Sequence, residues 1–295
     1  MKLLVVGGNG YIGSSLVLHL LEKHIVDVVD AEWFGGPVRD LCWAYRPYKM
    51  DVNLHIAYEY DVILLFAGHS SVAMCNNDPM GAIHNNVMVF NKLVDSLWSH
   101  QKLIYASSSC VYGEAEHATE DTVVKPVDGL SHTKAFMDHI AVNCGKQVYG
   151  LRLGSVGGWS KNFRKDLAIN SMTMDAINEG NLTVYNDWCR RPFVGIPDIE
   201  RTVDAILELE GPPGIYNVGS FNNSFGEIAN GIVEITGAKL ELGRVGSSTY
   251  NFTMDWNKVE KTYGITMECT LESIVEGIMD DPPTTWLPRE RIPNG

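Results

Sequence analysis

The chain has 295 residues, 45% apolar and 20% charged, enough to bury one large core or a large core beside a smaller lobe. Its net charge of −13 argues against binding a nucleic-acid backbone or an anionic membrane surface, though a locally basic pocket remains possible. The six cysteines form no CxxC pair and no Cys/His cluster of ligand spacing, which predicts no metal site and reduced thiols in a cytoplasmic compartment.

"MKLLVVGGNG" is too short in apolar residues for a signal-peptide core, and no later apolar run is long enough to span a bilayer. "KLLVVGG" predicts a buried strand closed by glycines. "SSLVLHLLEKH" has helical apolar spacing, with Ser14 or Ser15 placed to cap it. "IVDVVD" and the fully apolar "DVILLFAG" predict further strands of a sheet covered on both faces. "NNVMVFNKLVDSLWSH" predicts a helix and "KLIYASS" a strand. "SHTKAFMDHIAVNCG" predicts a helix stopped at Gly145, followed by the strand "QVYGLRLGS".

This alternation predicts an α/β fold, a doubly wound parallel sheet of the Rossmann type, over residues 1–158. From Trp159 the rhythm becomes irregular, with short strands at "LTVYN" and "GIYNVGS" and a capping-box helix opened by Ser224 and Glu227. Residues 159–280 are therefore expected to form mainly a smaller substrate lobe, some segments returning to the sheet, and 281–295 a proline-rich tail.

Gly7, Gly10 and Gly13 form G-x-x-G-x-x-G in the first strand-to-helix turn, around Tyr11 and Ile12. Such glycines permit a tight turn and let backbone N–H groups approach a pyrophosphate at the helix N-terminus. Asp30 ends the second strand about 20 residues on, where a carboxylate accepts from ribose hydroxyls. An acid there repels a 2′-phosphate, which favours NAD over NADP.

With that fingerprint the chain resembles the extended short-chain dehydrogenase/reductases, the group of NAD-dependent nucleotide-sugar epimerases and dehydratases. Further segments are similar in order: "MDVN", "LLFAGHSSV", "NNV", "SSSCVYG", "LRLGSVGG" and "RRPFVGIPDIERTVDAIL". The resemblance implies cofactor contacts at Asp51, Val52, Ala67, Gly68 and Asn86. It implies a hydroxyl at Ser108 that hydrogen-bonds the reacting sugar oxygen, and a lysine, Lys134, that holds the nicotinamide ribose. Arg191 matches the family arginine that grips the diphosphate of a nucleotide sugar, and bidentate contact suits Arg to that task. Ser155 stands where the family has Asn, which thins the clamp unless Arg164 contributes. Cys110 matches an acid/base position of one branch, and His69 is placed toward the substrate end. The resemblance also implies a homodimer through the helices around 86–100 and 131–144, where Phe136, Ile140 and Cys144 form an apolar stripe.

One position departs. The family carries a proton-transferring Tyr one turn before the lysine, and this chain carries Leu130. Leucine transfers no proton. Two readings follow: an active nucleotide-sugar enzyme with a substitute acid/base among Cys110, His69 and His132, or a catalytically degenerate protein that binds NAD or a nucleotide sugar. Ser131 lies close to Lys134 in sequence but has too high a pKa to act unaided.

Overall fold

A computed structural model describes residues 1–42, 45–47, 58–243 and 250–285. Asp51, Val52 and the end of the tail lie outside the described residues.

In chain order, β1 (Lys2–Val6), α1 (Tyr11–Leu20), β2 (Ile25–Asp30), β3 (Tyr45–Pro47) and β4 (Val62–Leu65) open the fold. Short helices α2 (Val72–Asn77) and α3 (Pro79–Ala82) lead through a π-helical turn, Ile83–Met88, into α4 (Val89–Ser96). Next come β5 (Lys102–Ser108), β6 (Ala115–Ala118), α5 (Gly129–Asn143), β7 (Val148–Leu153) and β8 (Ser155–Gly157). The later half contains α6 (Ala168–Glu179), β9 (Asn181–Val184), β10 (Arg190–Gly195), α7 (Ile196–Glu208), β11 (Gly214–Val218) and β12 (Phe221–Ser224). It ends with α8 (Phe225–Thr236), β13 (Lys239–Leu242), β14 (Phe252–Met254), α9 (Asn257–Tyr263) and α10 (Leu271–Asp280).

The main sheet has seven parallel strands in the order β3-β2-β1-β4-β5-β7-β11. Its order reverses between β1 and β4, and a crevice opens there beyond the carboxyl ends of the strands. The apolar runs of β1, β4 and β7 are buried because helices cover both faces. Leu16, Val17 and Leu20 of α1 pack with Ile199, Val203 and Ile206 of α7 on one face. Phe90, Leu93 and Val94 of α4 pack with Met137 and Ala141 of α5 on the other. Each such side chain, fully buried, contributes about 1.5–3 kcal/mol.

A separate core joins Ile169 and Met174 of α6, Ile228 and Ile232 of α8, and Ile274 and Ile278 of α10. Strand β11 and helices α7 and α9 return from the later half to the main sheet. The capping box of Ser224 with Glu227 opens α8.

Two local expectations change. Helix α1 starts at Tyr11 with Gly10 as its N-cap, and Ser14 is buried inside it, 2.8 Å from the Ser160 hydroxyl. The stripe on α5 divides: Phe136 is 55% exposed, whereas Ile140 and Cys144 pack against the core.

Candidate active site

The first turn is shaped by close approach. Gly7 has φ +89°, and a Cβ there would meet the backbone nitrogen of Ala67 at 2.4 Å. A Cβ on Gly13 would stand 2.0 Å from the Gly7 carbonyl oxygen, so no side chain fits where α1 crosses the turn. No side chain caps α1, and Gly10, Tyr11 and Ile12 line a cleft of about 450 Å³. Ala67, Gly68, Ser70 and Ser71 form part of its wall, as do Trp33 and Phe34.

Asp30 lines the cleft at the end of β2. Its carboxylate accepts from the backbone N–H of Asn9 at 2.8 Å and of Glu32 at 2.7 Å. Those bonds fix its orientation at the end of β2. The glycine cradle, the carboxylate and the cleft volume together fit a dinucleotide.

Asn86 lies in the π-helical turn, 1% exposed. Its Oδ1 accepts from the His69 N–H at 2.8 Å, and its Nδ2 donates to the His69 carbonyl and the Thr133 hydroxyl. A Cβ on Gly68 would meet that Oδ1 at 2.3 Å. Asn86 thus shapes the loop after β4 and does not itself line the cleft.

At the other end, Ser108, Leu130, Lys134 and Ser155 line the cleft together. Ser108 ends β5 and accepts from the Cys110 N–H at 3.3 Å. Asp128 and Ser131 form a capping box that starts α5, which sets Leu130 and Lys134 one turn apart. Lys134 is 8% exposed, and its Nζ donates to the Ala106 carbonyl at 2.6 Å. Burial holds its pKa below the ordinary lysine value.

The three substitute acid/bases separate. His132 is exposed and does not line the cleft. Cys110 does not line it either, and burial pushes its thiol up to about 12, so it stays protonated at neutral pH. His69 lines the cleft and is fully buried. Burial lowers its pKa, partly offset by Asp78, whose Oδ2 lies 3.4 Å from Nε2. That contact falls short of an aligned hydrogen bond. Ser131 is wholly engaged in the cap of α5: its hydroxyl accepts from Val127 and Asp128 and donates to the Asp128 carbonyl.

Arg191 sits outside the cleft lining. Its guanidinium stacks at 4.7 Å from the Tyr250 ring and 4.8 Å from Phe252, and donates to the Tyr250 carbonyl and the Cys189 sulfur. Arg164 does line the cleft, 7% exposed, with Asp166 beside it. The side chain of Tyr11 is committed inward: its hydroxyl donates to the Gly158 carbonyl at 2.7 Å and accepts from Asn170.

Sequence reading did not find the aromatic walls Trp33 and Phe34, although "EWFGG" directly follows Asp30. Nor did it find the buried support behind Ser108. There Asp138 accepts from Tyr105 at 2.7 Å and from Arg152 at 2.8 Å, and Arg152 reaches Tyr112.

Comparison with known proteins bears on this arrangement. Residues 3–219 match the family model described as "NAD dependent epimerase/dehydratase family". The chain is 27% identical to a UDP-glucose 4-epimerase of Corynebacterium glutamicum, over 94% of each chain. It is 29% identical to a dTDP-glucose 4,6-dehydratase of Mycobacterium tuberculosis, over 55% of this chain and 54% of that one. Its fold is similar to that of a UDP-glucuronic acid 4-epimerase from Bacillus cereus, solved with UDP-glucuronic acid and NAD. That likeness has a TM-score of 0.83 and 23% identity, over 95% of this chain and 98% of the other.

Proposed function

The chain belongs to the NAD-dependent epimerase/dehydratase family and its cofactor is NAD, and from that premise we propose that it acts on a pyrimidine nucleoside diphosphate sugar at a ring hydroxyl. The observation that carries this reading is the meeting of the glycine turn, Asp30, Ser108 and Lys134 in one cleft. The pyrimidine nucleotide is supported by the names of the relatives.

Bound NAD supplies the acceptor for a hydride from the sugar carbon. The backbone of Tyr11 and Ile12, at the start of α1, would receive its diphosphate, and Asp30 its adenosine ribose, whereas the Gly7 and Gly10 N–H groups bond the Val29 and Gly7 carbonyls. Lys134 would donate to the nicotinamide ribose, and Ser108 would hydrogen-bond the sugar hydroxyl. Leu130 contributes an apolar wall that excludes water. Of the three candidates His69 lines the cleft, and it would take the proton once its enclosed imidazole, 3.4 Å from Asp78 and edge-on to Trp33, turns toward the sugar. Arg191, held against Tyr250, takes no part in gripping the cofactor and is left for the sugar nucleotide's outer end.

The test incubates the purified protein with UDP-glucose, UDP-glucuronic acid and dTDP-glucose, and follows NADH absorbance and the product sugars by NMR. Conversion of one of them supports the proposal. One observation favours a second reading, a binding protein without turnover: an apolar side chain, Leu130, lines the cleft one turn before Lys134, where the resemblance puts a proton-transferring Tyr. Tight binding with no product from any sugar selects that reading.

The homodimer belongs to the same proposal. Met80, Ile83, Met88, Phe136 and Val142 are each at least 45% exposed on the segment 80–96 and on α5, which pack together on one face of the sheet. Such a patch suits a second copy. Light scattering on Phe136→Glu should show a monomer where the unaltered chain shows a dimer. All six cysteines are free, which supports a reducing, cytoplasmic setting. Among the described residues no helix is long and apolar enough to cross a membrane.

A further inference from the structure

Arg164 has an unusual position for a cation in an acidic chain. It lies in the segment that follows β8, and that segment is tied to the glycine turn. Ser160 donates to the Tyr11 carbonyl at 2.6 Å. Asn162 donates to the Asn9 carbonyl at 2.5 Å and to the Phe34 carbonyl at 3.0 Å. Two residues on, Arg164 lines the cleft and donates through Nη1 to the Ser70 hydroxyl at 3.1 Å, in the loop after β4. The segment therefore crosses from the glycine turn to the β4 loop, the two backbone pieces that flank the start of α1.

The rest of the guanidinium is engaged by Asp166. Nε lies 3.1 Å from Oδ1 and Nη2 2.5 Å from Oδ2, a two-pronged contact. Asp166 also lines the cleft, with its side chain 41% exposed against 9% for Arg164. A diphosphate presents the same pair of anionic oxygens to an arginine fork. An organic diphosphate at the N-terminus of α1 thus enters a space where a fork already faces a carboxylate.

We propose that Arg164 is a diphosphate ligand of the cleft, and that Asp166 is its resident counter-ion, displaced when the diphosphate of NAD enters. Asp166 then sets the affinity. It occupies the fork in the free protein and stands as a like charge beside the bound phosphates. This assignment rests on the cofactor already given and adds the residues that tune its retention. The same chemistry occurs in a nucleotide sugar, so the test carries both sources.

Isothermal titration of the full chain with NAD, and separately with UDP, gives the dissociation constants. Arg164→Ala should weaken NAD roughly tenfold or more, as expected for loss of a charged hydrogen-bonding pair, and should leave UDP unchanged. Arg164→Lys should recover part of the loss, because a point charge replaces a fork. Asp166→Asn carries the opposite sign: NAD should bind about threefold tighter or more, with a steeper salt dependence, because the arginine's charge then faces the diphosphate uncompensated. An ion pair that only braced the fold would leave NAD affinity unchanged or weaken it in both variants. Unchanged NAD binding in Arg164→Ala, or weaker NAD binding in Asp166→Asn, overturns the proposal. A loss confined to UDP overturns the cofactor assignment.

Discussion

Leu130 and Lys134 stand one helical turn apart on α5, and both line the cleft beside Ser108. The apolar side chain therefore faces the cleft next to a lysine whose Nζ is fixed on the Ala106 carbonyl, and on the proposed function it stands where a proton donor would face the sugar. Placed in a His69→Gln background, where the base is removed, Leu130→Tyr should raise turnover about 10²- to 10⁴-fold, the usual range for a positioned acid/base. Steady-state product formation with the best sugar substrate checks this. No gain in a double variant that still binds NAD would show that a side chain at position 130 is not placed for proton transfer.

His69 gives a pH prediction. Burial lowers its pKa below the ordinary histidine value of 6.5, so it is neutral at pH 7. A general base in that state works above its folded pKa and fails as pH falls through it. The acid limb of kcat/KM should therefore lie below pH 6.5 and disappear in His69→Gln, with rates lowered about 10²-fold or more. A limb unmoved by the substitution would assign the proton to another group.

Lys134 provides a stability prediction of defined sign. Its folded pKa is depressed by burial, so its favourable contribution is fully present above 10.5 and is lost as pH falls through the folded value. Denaturant titrations should show the wild type gaining stability relative to Lys134→Met as pH rises toward 10.5. The same variant should bind NAD about tenfold more weakly, since a charged donor to the ribose is lost.

Gly13→Ala places a methyl group where the Gly7 carbonyl oxygen stands 2.0 Å away. The turn must open, at a cost of about 1–3 kcal/mol. NAD titration should show at least a tenfold loss, with the far-UV circular dichroism unchanged.

Asp138 and Arg152 are 4% and 6% exposed, and the carboxylate also holds the Tyr105 hydroxyl. Asp138→Ala leaves the guanidinium buried without its counter-ion, which costs about 3–5 kcal/mol. Urea unfolding measures it. A loss under about 1 kcal/mol would mean that Arg152 relaxes to solvent.

The sheet, the glycine turn and Asp30 were legible in the sequence because their causes are local. A strand, a turn and a helix within thirty residues impose their own spacing, and apolar runs of four to seven residues mark buried parallel strands. Ser108, Leu130 and Lys134 were expected from the resemblance rather than from spacing: Ser108 ends β5, and Leu130 and Lys134 share a helical turn, so the three line the cleft together.

What the sequence left open was decided by long-range packing. Cys110, His69 and His132 read alike as titratable residues near the site. The rotation of α5 puts His132 in solvent, the packing after β5 leaves Cys110 half-buried and outside the cleft lining, and the clasp of Asn86 turns the loop after β4 so that His69 lines it. Arg191 and Arg164 divide the same way. Tyr250, some sixty residues on, claims the first, whereas the bonds of Asn162 and Ser160 to the glycine turn carry the second into the cleft. The sequence by itself determined the cofactor turn and the placing of Leu130 one turn before Lys134, since each depends on neighbours a few residues away. Only the tertiary structure decided which side chains meet around the cleft, because those contacts join segments more than ninety residues apart, and no local spacing encodes them.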